Sequence, residues 1–188
     1  MDVKSLKRAT ELAKFFIGTI IKEGDLVVDA TMGNGNDTLF LAQTVGKEGS
    51  VISFDIQDLA ILNTKKLLDK NNINNSKLIQ DGHENIDRYI SNEICGAMFN
   101  LGYLPKGDRN IVTKPETTIV AIDKCLKLLK RNGIITIVIY YGHLGGEDEK
   151  EKIIHYVEKL DENKFHVLKV DYINQTKEPP ILITIIKK

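Results

Sequence analysis

A chain of 188 residues with 26 basic and 26 acidic side chains has no formal net charge near neutrality, so no global positive field draws it to nucleic acid, although a local patch would still serve. Hydrophobic and charged fractions of 42% and 28% belong to soluble globular proteins, and the length suits a single domain with one complete core. No apolar run reaches the length of a membrane span and the first eight residues are not followed by the apolar core of a signal peptide, which excludes a membrane partner and makes the cytoplasm the expected location.

From Ser5 to Ile21, the residues Leu6, Ala9, Ala13, Phe16, Ile17 and Ile20 share one helical face, predicting an amphipathic helix that covers a sheet. Glu23-Gly24-Asp25 turns the chain into Leu26-Val27-Val28-Asp29, which reads as a buried strand. Ala30-Thr31-Met32-Gly33-Asn34-Gly35 follows as a glycine turn, and a helix from Asn36 to Thr44 stops at Gly46. Such a unit lets a ligand approach bare backbone, and a nucleotide-like ligand is the natural candidate. The third glycine of the usual dinucleotide fingerprint is missing, since Asn36-Asp37-Thr38 stands there. A pyrophosphate would seek the free amides of the helix N-terminus. Asp29 before the turn and Asp37 inside it suit a cationic or zwitterionic ligand better. S-adenosylmethionine, with a sulfonium, an ammonium, a carboxylate and a nucleoside, fits this better than NAD or FAD. Asp29, Met32, Gly33, Asn34, Gly35, Asn36, Asp37 and Thr38 are therefore candidate cofactor-binding residues, with an ordinary unliganded turn as the alternative.

Ser50-Val51-Ile52-Ser53-Phe54-Asp55 is a second strand ending in an acid twenty positions after Gly35, where a carboxylate at the neighbouring strand tip meets ribose hydroxyls. Gln57 to Leu68 reads as a helix with Leu59, Ile61, Leu62 and Leu67 on its apolar side, and residues 71–75 as a solvated loop. Lys77 to Gln80 is a short strand leading to Asp81-Gly82-His83-Glu84. The tip of this third strand would face an adenine, which makes Asp81, Gly82 and His83 candidates for bordering the base. A water-exposed histidine at a helix start is the other reading of His83.

Ile94 to Phe99 is a fourth strand that delivers Asn100-Leu101-Gly102-Tyr103-Leu104-Pro105 to the same end of the sheet, and Lys106-Gly107-Asp108-Arg109 continues as a loop. A helix with Ile119, Ile122, Leu126 and Leu129 inward follows, closed by Gly133 after its C-cap, and Ile134 to Tyr140 is a central strand. Cys95 and Cys125 fall on these apolar stretches without metal-ligand spacing, so buried free thiols and no metal site are expected. Tyr141-Gly142-His143-Leu144-Gly145-Gly146-Glu147 is a glycine-rich loop, and Glu147 to Leu160 a charged amphipathic helix. Phe165 to Tyr172 and Ile181 to Ile186 are joined by a link too short for a crossover helix, so they pair antiparallel. Five strands alternating with helices and a closing antiparallel pair make an α/β, doubly wound, seven-stranded, mostly parallel sheet. The terminal hairpin is a second feature favouring a methyl donor over a nicotinamide.

Asp29-x-Thr31-x-Gly33-x-Gly35, Asp55 with Gln57, Asp81-Gly82-His83, Asn100-Leu101-Gly102-Tyr103-Leu104-Pro105 and Tyr140-x-Gly142-His143-x-Gly145-Gly146-x-x-Glu149 occur in that order. The set resembles the small bacterial class I methyltransferases long labelled putative rRNA methylases, and the resemblance runs from Lys14 to Ile186. Members of that family are assigned to methylation of 5-aminomethyl-2-thiouridine at the tRNA wobble position. The resemblance implies a Rossmann-like S-adenosylmethionine-dependent enzyme, tRNA as partner and a homodimer. It places Asn34, Asn36, Asp55, Gln57 and His83 where members bind S-adenosylmethionine, and Asn100 to Pro105 where amino-methylating enzymes present their acceptor. One departure is Lys106, before Gly107-Asp108, where a small residue is expected.

Methyl transfer from a sulfonium is an in-line displacement that mainly needs positioning and a neutral amine. Asn100, which also borders the cofactor, is expected to accept from the amine, Tyr103 to pack against the uracil, and His143 to take a proton or touch a phosphate. Leu101, Gly102 and Tyr141 border the substrate, and Lys106, Arg109 and Lys114 reach tRNA phosphates. Methylation of rRNA or of a small amine, and a catalytically silent S-adenosylmethionine-binding protein, are the alternatives.

Overall fold

The computed structural model describes residues 7–105, 107–108 and 111–188. Its strands β1 (Leu26–Asp29), β2 (Ser50–Asp55), β3 (Ser76–Gln80), β4 (Ile94–Leu101), β5 (Leu129–Ile139), β6 (Phe165–Val170) and β7 (Ile181–Lys187) form one sheet in the order β3-β2-β1-β4-β5-β7-β6. The first five run parallel, and β7 lies antiparallel between β5 and β6. The mostly parallel seven-stranded sheet with its antiparallel insertion is the architecture expected of a class I methyltransferase.

Helices cover both faces, which is why the central strands are almost continuously apolar. Helix α1 (Ala9–Gly18) and α2 (Asn36–Val45) pack on one face through Leu12, Ala13, Ile17 and Leu41, against Val27, Val51, Cys95 and Ile134. Helices α4 (Pro115–Leu128) and α5 (Gly146–Glu158) pack on the other through Ile122, Cys125 and Ile153, against Phe99, Ile135, Ile137 and Ile183. The two sets alternate along each strand, as a period of two requires. Across β5 and β7, Ile135, Ile137 and Ile139 face Ile185, Ile183 and Ile181, an isoleucine ladder that seats the antiparallel strand. Cys95 and Cys125 are buried free thiols, and burial pushes them up to about 11 and 12, out of the range of thiolate chemistry.

Some local expectations change. Helix α4 ends at Leu128, because Leu129 is already extended at φ −65°, ψ 126° and begins β5. Gly133 therefore lies inside a strand, where a side chain would meet the Cys95 carbonyl at 2.8 Å, and caps no helix. The register jumps from Ile94–Leu129 to Gly96–Ile134, so Lys130 to Gly133 bulge out of the ladder. Helix α3 (Asp58–Lys70) buries Ala60, Thr64 and Leu68, whereas Leu59 and Leu62 of the predicted apolar side are exposed. A 3₁₀ helix, His83–Arg88, links β3 to β4, so His83 does stand at a helix start. Helix α1 is shorter than predicted, and Ser5 and Leu6 lie outside the described residues.

The contrast between these helices is measurable. Ile122→Ala, in a fully buried position, should cost about 2–5 kcal/mol in urea unfolding, whereas Leu62→Ala on exposed α3 surface should stay within about 0.5 kcal/mol of the parent.

Candidate active site

In a doubly wound sheet the crossovers leave in opposite directions from the strand where the order reverses, opening a crevice at the carboxyl ends. Here that point is β1, between β2 and β4. The strand tips open into a cleft of about 870 Å³, within the range of small-molecule sites.

The glycine turn forms the floor. Gly33 and Gly35 take φ of 51° and 81°, and a side chain on Gly35 would lie 2.8 Å from Thr64, so only glycine lets α3 come this close. Thr64 Oγ1 donates to the Gly33 carbonyl at 3.1 Å, and Asn63 Nδ2 donates to Asn34 Oδ1 at 2.9 Å, which leaves the Asn34 amide hydrogens for a ligand. Asp55 at the tip of β2 accepts from the Gly33 amide on Oδ2 and from the Gln57 amide on Oδ1, both at 3.0 Å. A carboxylate has about four lone-pair sites, so these two bonds leave it acceptor capacity for hydroxyls. Burial raises the Asp55 carboxyl above its usual value, against the lowering pull of the amides of Gln57 and Gly33.

His83 is buried, so its water-exposed reading is excluded. Its Nδ1 lies 3.0 Å from the Ala30 carbonyl, which can only accept, so Nδ1 carries the hydrogen and Nε2 is left as an acceptor. Burial lowers its basicity, which keeps the ring neutral and fit to accept from an exocyclic amine. Asp81 is tied down by Tyr89, Asn85 and the Gly82 amide at 2.7–2.9 Å, and the Tyr89 bond leads in holding its carboxyl low.

Asn100 is the penultimate residue of β4, not a turn residue. Its amide donates to Thr31 Oγ1 at 2.7 Å, and its Nδ2 reaches Asp37 Oδ2 at 3.4 Å, leaving Oδ1 as an acceptor on the cleft wall. Asp37 is 7% exposed and pairs with Lys14 of α1 at 3.2 Å. Tyr103, 44% exposed, lines the same cleft and is no core residue.

Of the predicted residues, Met32, Gly33, Asn34, Asn36, Asp37, Asp55, Gln57, Asp81, Gly82, His83, Asn100, Leu101, Gly102, Tyr103 and Lys114 border the cleft together. Asp29, Gly35 and Thr38 do not; they brace the turn from behind. Asp29 is 1% exposed and accepts from Thr38 Oγ1 at 2.6 Å and from the Thr31 amide at 3.2 Å. Tyr141 and His143 lie outside the wall, although the His143 ring stands 6.0 Å from that of Tyr103. Lys106 and Arg109 lie outside the described residues. Sequence reasoning missed Arg8, Lys14, Thr31, Thr113 and Tyr140 on the wall, and Asn63 and Thr64 behind it. The polar pair Asn63-Thr64 in mid-helix was the one legible signal.

Comparison with known proteins shows what the chain is similar to. Residues 51–186 match the family described as "Putative rRNA methylase". The chain is 35% identical over 97% of its length to a chloroplastic tRNA (mnm(5)s(2)U34)-methyltransferase of Arabidopsis thaliana, covering 70% of that protein. It is similar to a solved rRNA methylase, also described as putative, from Clostridium thermocellum, at 51% identity and a TM-score of 0.95, covering 97% of this chain and 98% of that one. A methyltransferase of like standing from Streptococcus mutans, solved in complex with SAH, matches at 39% identity and a TM-score of 0.90, over 97% of this chain and 99% of that one.

The buried acid behind the turn has a measurable consequence. Burial, with the charge of Asp37 second, pushes Asp29 from 3.8 up to about 7. The folded state then holds a proton that the unfolded state has lost, so this group's contribution to stability is full below about pH 4 and falls as pH rises towards 7. Urea unfolding across that window should show a steeper loss of stability with pH in the parent than in Asp29→Asn; parallel curves would contradict it.

Proposed function

Because the chain belongs to the rRNA methylase family, within the class I methyltransferases, we propose that it transfers a methyl group from S-adenosylmethionine to the amine of 5-aminomethyl-2-thiouridine at the tRNA wobble position. The observation that carries this reading is the placement of Asn100 Oδ1 and Tyr103 on the cleft wall that also holds the turn and Asp55.

The residues present fit the methyl donor. Asp55 offers acceptor capacity for ribose hydroxyls, His83 Nε2 an acceptor for an adenine amine, and the turn from Met32 to Asn36 a backbone wall. Asp37 and Asp55 give the cleft a negative lining that suits a cation. When bound, the donor supplies a methyl group on a positively charged sulfur, open to in-line attack.

The chain's own task is to hold a nucleophile in line. Asn100 Oδ1 accepts from an amine N–H and so turns the nitrogen lone pair towards the methyl group. Tyr103 offers its ring to the base, and stacking on such a platform is worth roughly 1–3 kcal/mol. Arg8 and Lys114 line the cleft mouth, where they meet phosphates flanking the target nucleotide. The tRNA substrate is supported by the name of the Arabidopsis relative.

Single-turnover transfer from S-adenosylmethionine to tRNA bearing the free aminomethyl group, followed by mass spectrometry of the nucleosides, tests this. The parent should convert the wobble nucleoside, and Asn100→Ala should slow it about 100-fold or more. Methyl groups found in rRNA instead, or an Asn100→Ala rate equal to the parent, would overturn the assignment or the role.

A further inference from the structure

The Tyr140-to-Glu149 motif ends in a glutamate that does not touch the cleft. Glu149 is 1% exposed, an unusual place for a carboxylate unless its oxygens are satisfied. They are: Oε2 accepts from Thr113 Oγ1 at 2.7 Å, and Oε1 accepts from Thr118 Oγ1 at 3.1 Å. Thr113 lies on the segment between the acceptor loop and α4, and it is the only described residue in this set that lines the cleft.

Thr113 also grips Gly102 from both sides. The Gly102 amide donates to Thr113 Oγ1 at 3.0 Å, and the Thr113 amide donates to the Gly102 carbonyl at 3.0 Å. One residue further on, Tyr103 bridges antiparallel to Val112. The threonine hydroxyl has one hydrogen, given to Glu149, and uses a lone pair for the Gly102 amide. Each bond polarises the next. The carboxylate thereby orients the hydroxyl so that its lone pair faces Gly102.

The glycines of the motif explain how Glu149 arrives there. Gly145 starts α5 at φ 84°, and a side chain on Gly146 would lie 2.7 Å from the Tyr141 Cα. The tight entry puts Glu149 in the first turn of α5, where the helix dipole favours a buried negative charge. The same loop carries His143, whose ring meets that of Tyr103.

We propose that Glu149 is a positioning residue for methyl transfer, which fixes Gly102 through Thr113 and so holds Leu101 to Tyr103 in the conformation that receives the acceptor base. The proposal rests on the reading of the cleft as a methyl-transfer site, and it assigns the glycine-rich motif a task at the acceptor rather than at the donor.

Glu149→Gln, Thr113→Val, their double variant and Thr113→Ser, all in the full chain, provide the test. At saturating S-adenosylmethionine, each of the first two should lower single-turnover methylation of tRNA about tenfold or more while leaving the donor Kd within about twofold. The double variant should be no slower than the worse single one, because both changes break one chain of bonds. Thr113→Ser, which keeps the hydroxyl, should restore most of the rate. Amide exchange at Gly102 should quicken about tenfold or more in Thr113→Val and Glu149→Gln, with β1 and β2 unchanged. Parent-like rates, additive losses, a parallel loss of donor affinity, or unaltered exchange at Gly102 would each overturn the proposal. If the parent itself methylates no RNA, the functional reading fails, and the exchange measurement still decides whether Glu149 holds Gly102.

Discussion

The cleft depends on one carboxylate. Asp55 ties the Gly33 amide to the tip of β2 across 22 positions of sequence and holds the first amide of the next segment, that of Gln57, with its other oxygen. Bonds from neutral donors to a charged acceptor contribute roughly 1.5–3 kcal/mol each, enough to keep a turn with two left-handed glycines in one conformation. The parallel register of β1 with β2 and β4 places the three strand tips side by side, and Asp55 closes the gap between two of them. Without it the turn would lose its anchor at the place where a ligand's nucleoside would rest.

Carboxylates accumulate around that anchor. Asp29 lies behind the turn, Asp37 opens α2, and Asp55 ends β2; of the charges among the described residues, Lys14 stands closest to balancing them, paired with Asp37. Burying like charges together is costly, and burial with neighbouring charge raises Asp29 and, by burial chiefly, Asp55. A site assembled at such cost is poised for a ligand that brings positive charge, whose arrival relieves the repulsion. A pyrophosphate would add to it. The acidic lining, the missing third glycine and the antiparallel β7 thus point the same way.

What was legible beforehand were features with local signatures. A short apolar run before Gly33-x-Gly35, an acid twenty positions on, and alternation of strands with helices each follow from backbone period or turn chemistry, and the sheet, the cleft floor and most of its residues emerged from them. The end of α4 did not, because Leu129 is apolar in either a helix or a buried strand, and pairing with Ile94 decided the matter. The face of α3 differs from the expected one because Leu59 and Leu62 lie at the solvent side while Ala60 is buried and Thr64 packs beneath the turn. Asn100 to Asp37, and Thr113 to Glu149, join residues 63 and 36 positions apart. Contacts of that span leave no periodic trace in one sequence. Helix α1 looked like a plain cover for the sheet, yet Arg8 at its N-cap and Lys14 on its polar side reach the cleft.

The central claim is that the strand tips around Asp55 take up a sulfonium nucleoside. Isothermal titration calorimetry of the intact protein with S-adenosylmethionine, in parent and Asp55→Ala, tests it most directly. Saturable uptake of one equivalent per chain by the parent, weakened at least about tenfold by the substitution, which is roughly 1.4 kcal/mol, is the predicted result. No uptake by the parent, or equal affinity in the two proteins, would contradict the account.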